Sequence, residues 1–232
     1  MKIAVWSGPR NLSTALMYAF GNRPDCEAVD EPFYAAYLAQ TGIDHPMRQE
    51  ILANQAIVPH AVVERLLRTS EKPHLYAKMM CHHMVDNMPL DWAEDFVNVH
   101  LIRHPARVIA SYTNKRDRIA MQDIGCADVE RIFEALPGPI IDSADIRANP
   151  EGTLRALCDT VGLAFDPAML SWPAGPKPFD GVWARHWYDA VHCSTGFAAA
   201  EGPLPEVPDD LMPIYETAMP IYRAMYAKRL SV

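Results

Sequence analysis

Ile3-Ala-Val-Trp6 followed by Ser7-Gly-Pro-Arg-Asn-Leu-Ser-Thr14 is the stretch on which the reading of this chain turns. The four apolar residues read as a short buried strand. Ser7-Gly-Pro-Arg-Asn11 breaks it, and Ser13 to Phe20 has the spacing of a helix that stops at Gly21. A strand, a tight turn and a helix start form an anion cradle, because the free N–H groups and the dipole of the helix face the ligand. Ser13 and Thr14 add hydroxyl donors, and Arg10 adds a charged, two-pronged grip. The ATPase pattern G-x-x-x-x-G-K-S/T fails: counting from Gly8, Ser13 stands at the second glycine and Thr14 at the lysine. Taken alone, the loop reads equally as a helix N-cap with a surface arginine.

Outward from this loop, Glu27-Ala-Val29 is a second short strand leading to Asp30-Glu31-Pro32, and helical spacing resumes from Phe33 to Leu38. Residues 47 to 69 read as two helical pieces broken near Pro59, and His74 to Met80 and Phe96 to Ile102 read as strands. The latter runs into Arg103-His-Pro105 and then a helix through about Lys115, with Pro105 at the first helical position. Ile140-Ile141 is a short strand, and Glu151 to Val161 is an amphipathic helix with Leu154, Leu157, Cys158 and Val161 on one face. Residues 171 to 208, rich in Pro, Gly and Trp, read as a long ordered loop. Asp209 to Leu230 reads as a closing helix with Pro213 and Pro220 as kink points. Strands alternating with helices predict an α/β fold, a P-loop-type parallel sheet flanked by helices on both faces, as one domain over residues 1–232. Ligands of such sheets bind outside the carboxyl ends of the strands, where the loops at 7–13 and 103–105 fall.

Composition narrows the classes. The chain has 232 residues, 21 basic and 29 acidic, for a net charge of −8; half are apolar and 22% charged, as in soluble globular proteins. The acidic balance argues against a nucleic-acid partner but leaves room for a small anion held by a few arginines. Five cysteines, Cys26, Cys81, Cys126, Cys158 and Cys193, are odd in number and none lie close in sequence, which predicts buried thiols in a reducing compartment. No stretch reaches about 18 apolar residues, so no membrane span is expected. The start, Met1-Lys2-Ile-Ala-Val-Trp6, is too short for a signal-peptide core. The expectation is a cytoplasmic protein; its oligomeric state is left open.

A second constellation is Leu101-Ile-Arg-His-Pro-Ala-Arg-Val-Ile-Ala-Ser-Tyr112. Arg103 ends a strand, and Ser111 lies about two turns into the following helix, which suits a second phosphate. The plain alternative is a capped helix with exposed arginines.

Together the two loops resemble the sulfotransferases that use 3′-phosphoadenosine 5′-phosphosulfate (PAPS). Members have a loop like P-K/R-S-G-S/T-S/T for the 5′-phosphosulfate and a strand–helix motif like R-N/D-P-x-D-x-x-x-S for the 3′-phosphate. Here these read Pro9-Arg-Asn-Leu-Ser-Thr14 and Arg103-His-Pro-Ala-Arg-Val-Ile-Ala-Ser111. A third match is Ile140-Ile-Asp-Ser-Ala-Asp-Ile146, followed by Asn149-Pro-Glu-Gly-Thr-Leu154 and Val161-Gly-Leu163. Leu12 stands in place of a loop glycine, Asn11 of a serine, Arg107 of an aspartate, and Asp142-Ser-Ala144 of R-Y-E. The resemblance implies PAPS as sulfuryl donor, a small-molecule acceptor and no metal. It puts Arg10, Asn11, Leu12, Ser13 and Thr14 on the 5′ side and Arg103 and Ser111 on the 3′ side.

The implied reaction needs a base, and three residues qualify. Some carbohydrate sulfotransferases place a Glu-Pro where Glu31-Pro32 stands, and Pro32 biases Glu31 to an extended backbone. Cytosolic members have K-T-H at the end of the strand that here holds Lys78; His82 and His83 follow that lysine at a longer spacing. Glu31 also reads as a helix-start carboxylate and the histidines as a polar loop. In the 171–208 loop, Lys177 and Arg185 are candidates for phosphate and Trp183 or Trp187 for stacking on adenine, beside the alternative of a flap packed on the core. Two rival functions stay open. One is a P-loop small-molecule kinase, disfavoured by the missing Gly-Lys pair and magnesium aspartate. The other is a non-catalytic nucleotide-binding protein.

Overall fold

Ile3 and Val5 point to one side of the first strand and Ala4 and Trp6 to the other, each into its own apolar cluster, so β1 (Lys2–Ser7) is covered on both faces. The computed structural model describes residues 1–68, 70–113 and 119–231. After β1 come α1 (Ser13–Gly21), β2 (Cys26–Asp30), α2 (Tyr34–Thr41), α3 (Arg48–Asn54), α4 (Pro59–Leu67) and β3 (His74–Met80). β4 (Val97–Ile102) leads into α5 (Pro105–Thr113), α6 (Met121–Ile124) and α7 (Cys126–Ala135). β5 (Ile140–Asp142) leads into α8 (Ser143–Ala148) and α9 (Pro150–Val161). Short helices α10 (Ala184–Trp187) and α11 (Asp189–His192) precede the closing α12 (Met212–Tyr226).

The five strands pair in parallel in the order β2-β3-β1-β4-β5. In this register Val5 lies opposite Lys78 and Val99, and Ser7 opposite Met80 and Leu101. On one face α1 and α9 bring Leu16, Phe20, Leu154 and Leu157 against Val5, Tyr76 and Val99. On the other, α4, α7 and α12 bring Val62, Ile132 and Met225 against Trp6, Ala77 and Met79. The expected α/β architecture, a parallel sheet with helices on both faces, is the observed one.

The differences are local. The two helical pieces expected around Pro59 are α3 and α4, and Pro59 itself starts the second, since a proline needs no N–H partner in a first turn. α5 ends at Thr113 among the described residues; the expected continuation to Lys115 falls outside them. α7 is new, and its buried Val129 and Ile132 sit one turn apart. The long loop contains α10 and α11. The closing helix begins after a 3-10 turn at Asp209–Leu211 and stops at Tyr226, with Pro213 in its first turn and Pro220 inside it. Cys26, Cys81 and Cys158 are buried, Cys126 half-buried and Cys193 exposed, all as free thiols. Among the described residues no helix is long and apolar enough to cross a membrane.

Candidate active site

Because every strand runs the same way, their carboxyl ends share one edge of the sheet. Arg10 follows β1, Glu31 follows β2, His82 and His83 follow β3, and Arg103 follows β4.

The β1–α1 loop is built with two left-handed residues, Arg10 at φ 63° and Leu12 at φ 72°. Each costs a non-glycine residue about 1–2 kcal/mol. Leu12 thus takes the conformation a glycine would favour, and its side chain packs on the core. α1 starts without a side-chain cap. The N–H groups of residues 10 to 15 find no acceptor among the described residues and remain available to an anion. Asn11 does something other than grip a ligand with its side chain: Nδ2 donates to the Leu101 carbonyl at 3.2 Å and ties the loop to β4. Ser13 is buried and Thr14 half-buried at the helix start.

The two loops meet. Nε of Arg10 donates to Oγ of Ser111 at 2.8 Å, across 101 residues of chain. Nη1 of Arg103 donates to the Arg10 carbonyl at 2.8 Å. Beyond them Arg103, Arg107 and Arg147 converge on one carboxylate, that of Glu201, whose side chain is 3% exposed. Nε of Arg107 is 2.7 Å from Oε2 and Nη1 of Arg147 is 2.8 Å from Oε1. These groups and Ser111 line an open cleft of about 400 Å³.

On the other side of β1 lies a buried ion cluster. Nζ of Lys78 donates to Oδ1 of Asp30 at 3.0 Å, to Oε1 of Glu31 at 2.6 Å and to the Tyr188 hydroxyl at 2.6 Å. The Tyr188 hydroxyl in turn donates to Asp30 at 2.8 Å. Burial opposes the charge on Lys78, but Asp30 and Glu31 outweigh it and hold its pKa above the ordinary lysine value. Burial pushes Asp30 upward against the pull of Lys78.

Glu31 departs from the extended backbone that Pro32 favours: its φ is 39°. Its N–H donates to the Lys78 carbonyl at 3.1 Å, and Nε2 of Gln55 donates to its own carbonyl at 3.2 Å. These bonds hold the turn, so Asp30 and Glu31 share one ammonium. Nε2 of His83 lies 3.9 Å from Oε2 of Glu31, too far for a hydrogen bond. Its ring is stacked between Tyr34 and Tyr37, at 4.6 and 4.8 Å. His82 meets the edge of the Tyr37 ring. Burial lowers His83 well below the usual histidine range and His82 to about 4, so both rings are neutral at pH 7.

The 171–208 segment packs on the core. Trp183 is 1% exposed and its Nε1 donates to the Tyr188 hydroxyl at 3.1 Å, which removes it as an adenine platform. Nζ of Lys177 donates to the Pro173 carbonyl, and Arg185 pairs with Glu50 at 3.0 Å on the surface. Trp187 lies beside His45. Two strands do end in an aspartate, Asp30 and Asp142. Asp142 is occupied as well: Oδ1 accepts from Ala144 N at 2.7 Å and Oδ2 from the Tyr222 hydroxyl at 2.9 Å. Among the described residues no three His, Cys, Asp or Glu side chains are grouped to hold a metal ion.

A family model described as the sulfotransferase domain matches residues 1–229. The chain belongs to the sulfotransferase family. This sulfotransferase is also similar to two Arabidopsis thaliana proteins, named branched-chain-amino-acid aminotransferase-like protein 2 and protein 1. They are 34% and 35% identical to it, over 96% and 95% of this chain. The chain spans about two fifths of their length, 41% and 40%. In fold it resembles the sulfotransferase domain from the curacin biosynthetic pathway, with TM-score 0.58 and 17% identity over 94% of this chain and 96% of that one. A sulfotransferase from Alicyclobacillus acidocaldarius gives TM-score 0.57 and 11% identity over 98% and 96%.

Lys78, Tyr188, Arg107, Arg147 and Glu201 belong to the ion cluster and the arginine cluster described above, and sequence reasoning did not select them. Lys78 carried a signal, being a lysine inside the apolar run His74 to Met80, where an unpaired charge is rarely tolerated. Glu201 carried none.

Proposed function

We propose that this sulfotransferase domain, read as one unit over residues 1–232, moves a sulfuryl group from PAPS to a hydroxyl or amine of a small acceptor. The observation that carries the reading is the bond from Arg10 to Ser111, which joins the β1–α1 loop to the β4–α5 motif in one cleft. Two anion grips on adjoining loops suit a nucleotide phosphorylated at both the 5′ and 3′ positions. On this reading the N–H groups of residues 10–14, with Arg10, Ser13 and Thr14, hold the 5′-phosphosulfate, and Arg103 and Ser111 hold the 3′-phosphate. PAPS supplies the activated sulfuryl group. The chain supplies positioning and fixed positive donors where negative charge gathers, the dominant contributions in the related phosphoryl transfers.

Glu31 is the proposed base. Its Oε1 is committed to Lys78, and its Oε2 makes no hydrogen bond among the described residues, with Nε2 of His83 3.9 Å away. Lys78 fixes the carboxylate, and the neutral His83, clamped between two tyrosines, shapes the wall beside it.

Calorimetry with adenosine 3′,5′-bisphosphate, AMP and ATP, followed by an acceptor screen with labelled PAPS in the presence of EDTA, tests the reading. Preferential binding of the bisphosphate and chelator-resistant turnover are expected. Turnover of ATP with magnesium would replace the reading with a kinase. Bisphosphate binding without turnover of PAPS across the acceptor screen would point to a non-catalytic nucleotide binder.

A further inference from the structure

The donors of the arginine cluster are not left open; they are spent on one segment. Arg103 and Arg147 both reach Oε1 of Glu201, and Arg107 reaches Oε2. Nε of Arg147 also donates to the Ala199 carbonyl at 2.8 Å, and Nη2 of Arg107 to the Gly202 carbonyl. Three arginines on one carboxylate leave two positive charges unmatched, which is the charge of a phosphate dianion. Glu201 itself is nearly sealed from solvent, with 3% of its side chain exposed. Yet the segment that carries it, residues 198–207, has no helix or strand and makes no main-chain to main-chain hydrogen bonds among the described residues. What anchors it at this end is its grip on the arginines, a contact that a competing anion would replace.

We propose that Glu201 is an internal occupant of the 3′-phosphate subsite, and that a 3′-phosphorylated nucleotide binds by expelling it from Arg103, Arg107 and Arg147. This rests on the donor reading given above and adds to it two further phosphate ligands, Arg107 and Arg147, and a residue that competes with the phosphate for them. Apparent affinity is then the intrinsic affinity multiplied by the fraction of molecules in which the segment has lifted. A nucleotide lacking the 3′-phosphate has nothing to offer the arginines in exchange and leaves Glu201 in place. A 3′-phosphate has two charges to set against one and can displace Glu201, but its apparent affinity is reduced by the fraction of molecules in which the segment is down.

The test is calorimetry of the intact chain and of Glu201→Gln with adenosine 3′,5′-bisphosphate and with AMP. The variant is expected to bind the bisphosphate at least about tenfold more tightly, with AMP affinity unchanged. If the unaltered chain prefers the bisphosphate but Glu201→Gln binds it no better or worse, Glu201 is a fixed brace and the proposal is overturned while the donor reading stands. If neither form distinguishes bisphosphate from AMP, the donor reading itself fails, and the proposal with it. Limited proteolysis of the unaltered chain decides the matter should the variant misfold. Cleavage within residues 198–206 should be faster with saturating bisphosphate than with AMP. Equal or slower cleavage would show that the segment stays down.

Discussion

Nζ of Lys78 lies 2.6 Å from Oε1 of Glu31, although the lysine sits inside the apolar run Leu75 to Met80 and the glutamate stands just beyond the end of the neighbouring strand. Strand residues alternate faces, so Asp30 and Glu31 should point apart; the left-handed turn at Glu31 brings them together. The pair fixes one oxygen of Glu31 and leaves the other without a hydrogen bond among the described residues. Glu31→Gln keeps the shape and loses the charge. It is expected to lower turnover by about 10²–10⁴-fold with nucleotide affinity nearly constant, while His83→Asn costs less. Single-turnover assays at saturating donor check this. A fully active Glu31→Gln enzyme would move the role of base elsewhere.

The Arg10–Ser111–Arg103 junction predicts unequal losses. Arg103→Ala should weaken the preference for a 3′-phosphate without touching ligands that lack one, whereas Arg10→Ala should weaken every ligand with a 5′-phosphate. Each lost charged hydrogen bond is worth about 1.5–3 kcal/mol, roughly 10- to 150-fold in Kd. Ser111→Ala should lower affinity for both classes, because it frees Arg10 as well as removing a donor. Titration calorimetry of the three variants separates these outcomes.

Asp142 predicts a pH effect on stability. Burial pushes its carboxyl up to about 6, while an unfolded aspartate titrates at about 3.9. The folded state therefore holds the proton more tightly. The stabilisation is fully present below pH ~4 and is lost as pH rises through 6. Asp142→Asn, which can still accept from Ala144 and whose Nδ2 would reverse the Tyr222 bond by donating to that hydroxyl, should be more stable than the unaltered chain at pH 8 by about 1–3 kcal/mol. The gain should vanish by pH 4. Denaturant unfolding at the two pH values measures it.

At Leu12 backbone strain should outweigh apolar packing. At φ 72° a β-branched residue is strained and glycine is relaxed. Leu12→Val should be less stable than Leu12→Gly by about 1–2 kcal/mol, despite keeping more apolar surface. Thermal unfolding of both variants checks it. A more stable valine variant would contradict the backbone assignment.

Much of the sheet was legible because its strands are buried runs closed by turn residues: Ile3 to Trp6, His74 to Met80 and Ile140-Ile141 all lie in the strands they predicted. α7 was not, since its apolar residues are few and its sequence, Cys126 to Ala135, is mostly charged or small. The residues of the two anion loops were readable one motif at a time, but the contact between Arg10 and Ser111 was not. Local spacing says nothing about which loops a parallel sheet brings side by side. Glu201 was invisible for a different reason. A single acid in a proline-rich stretch looks like solvated surface, and only the three arginines arriving from α5, α8 and the end of β4 make it otherwise.

With β1 at its centre, the sheet divides labour between its halves. Arg10, Arg103 and Ser111 belong to β1, β4 and the helix after β4, whereas Lys78, Glu31 and His83 belong to β2, β3 and their following turns. On the proposed reading, substitutions in α2, α3 and α4 can reshape the acceptor's surroundings without touching the nucleotide's grips, and changes in the two halves should combine additively. Such a layout lets a lineage change what it sulfates while keeping one donor. The acceptor range would therefore be the most evolvable property of this protein.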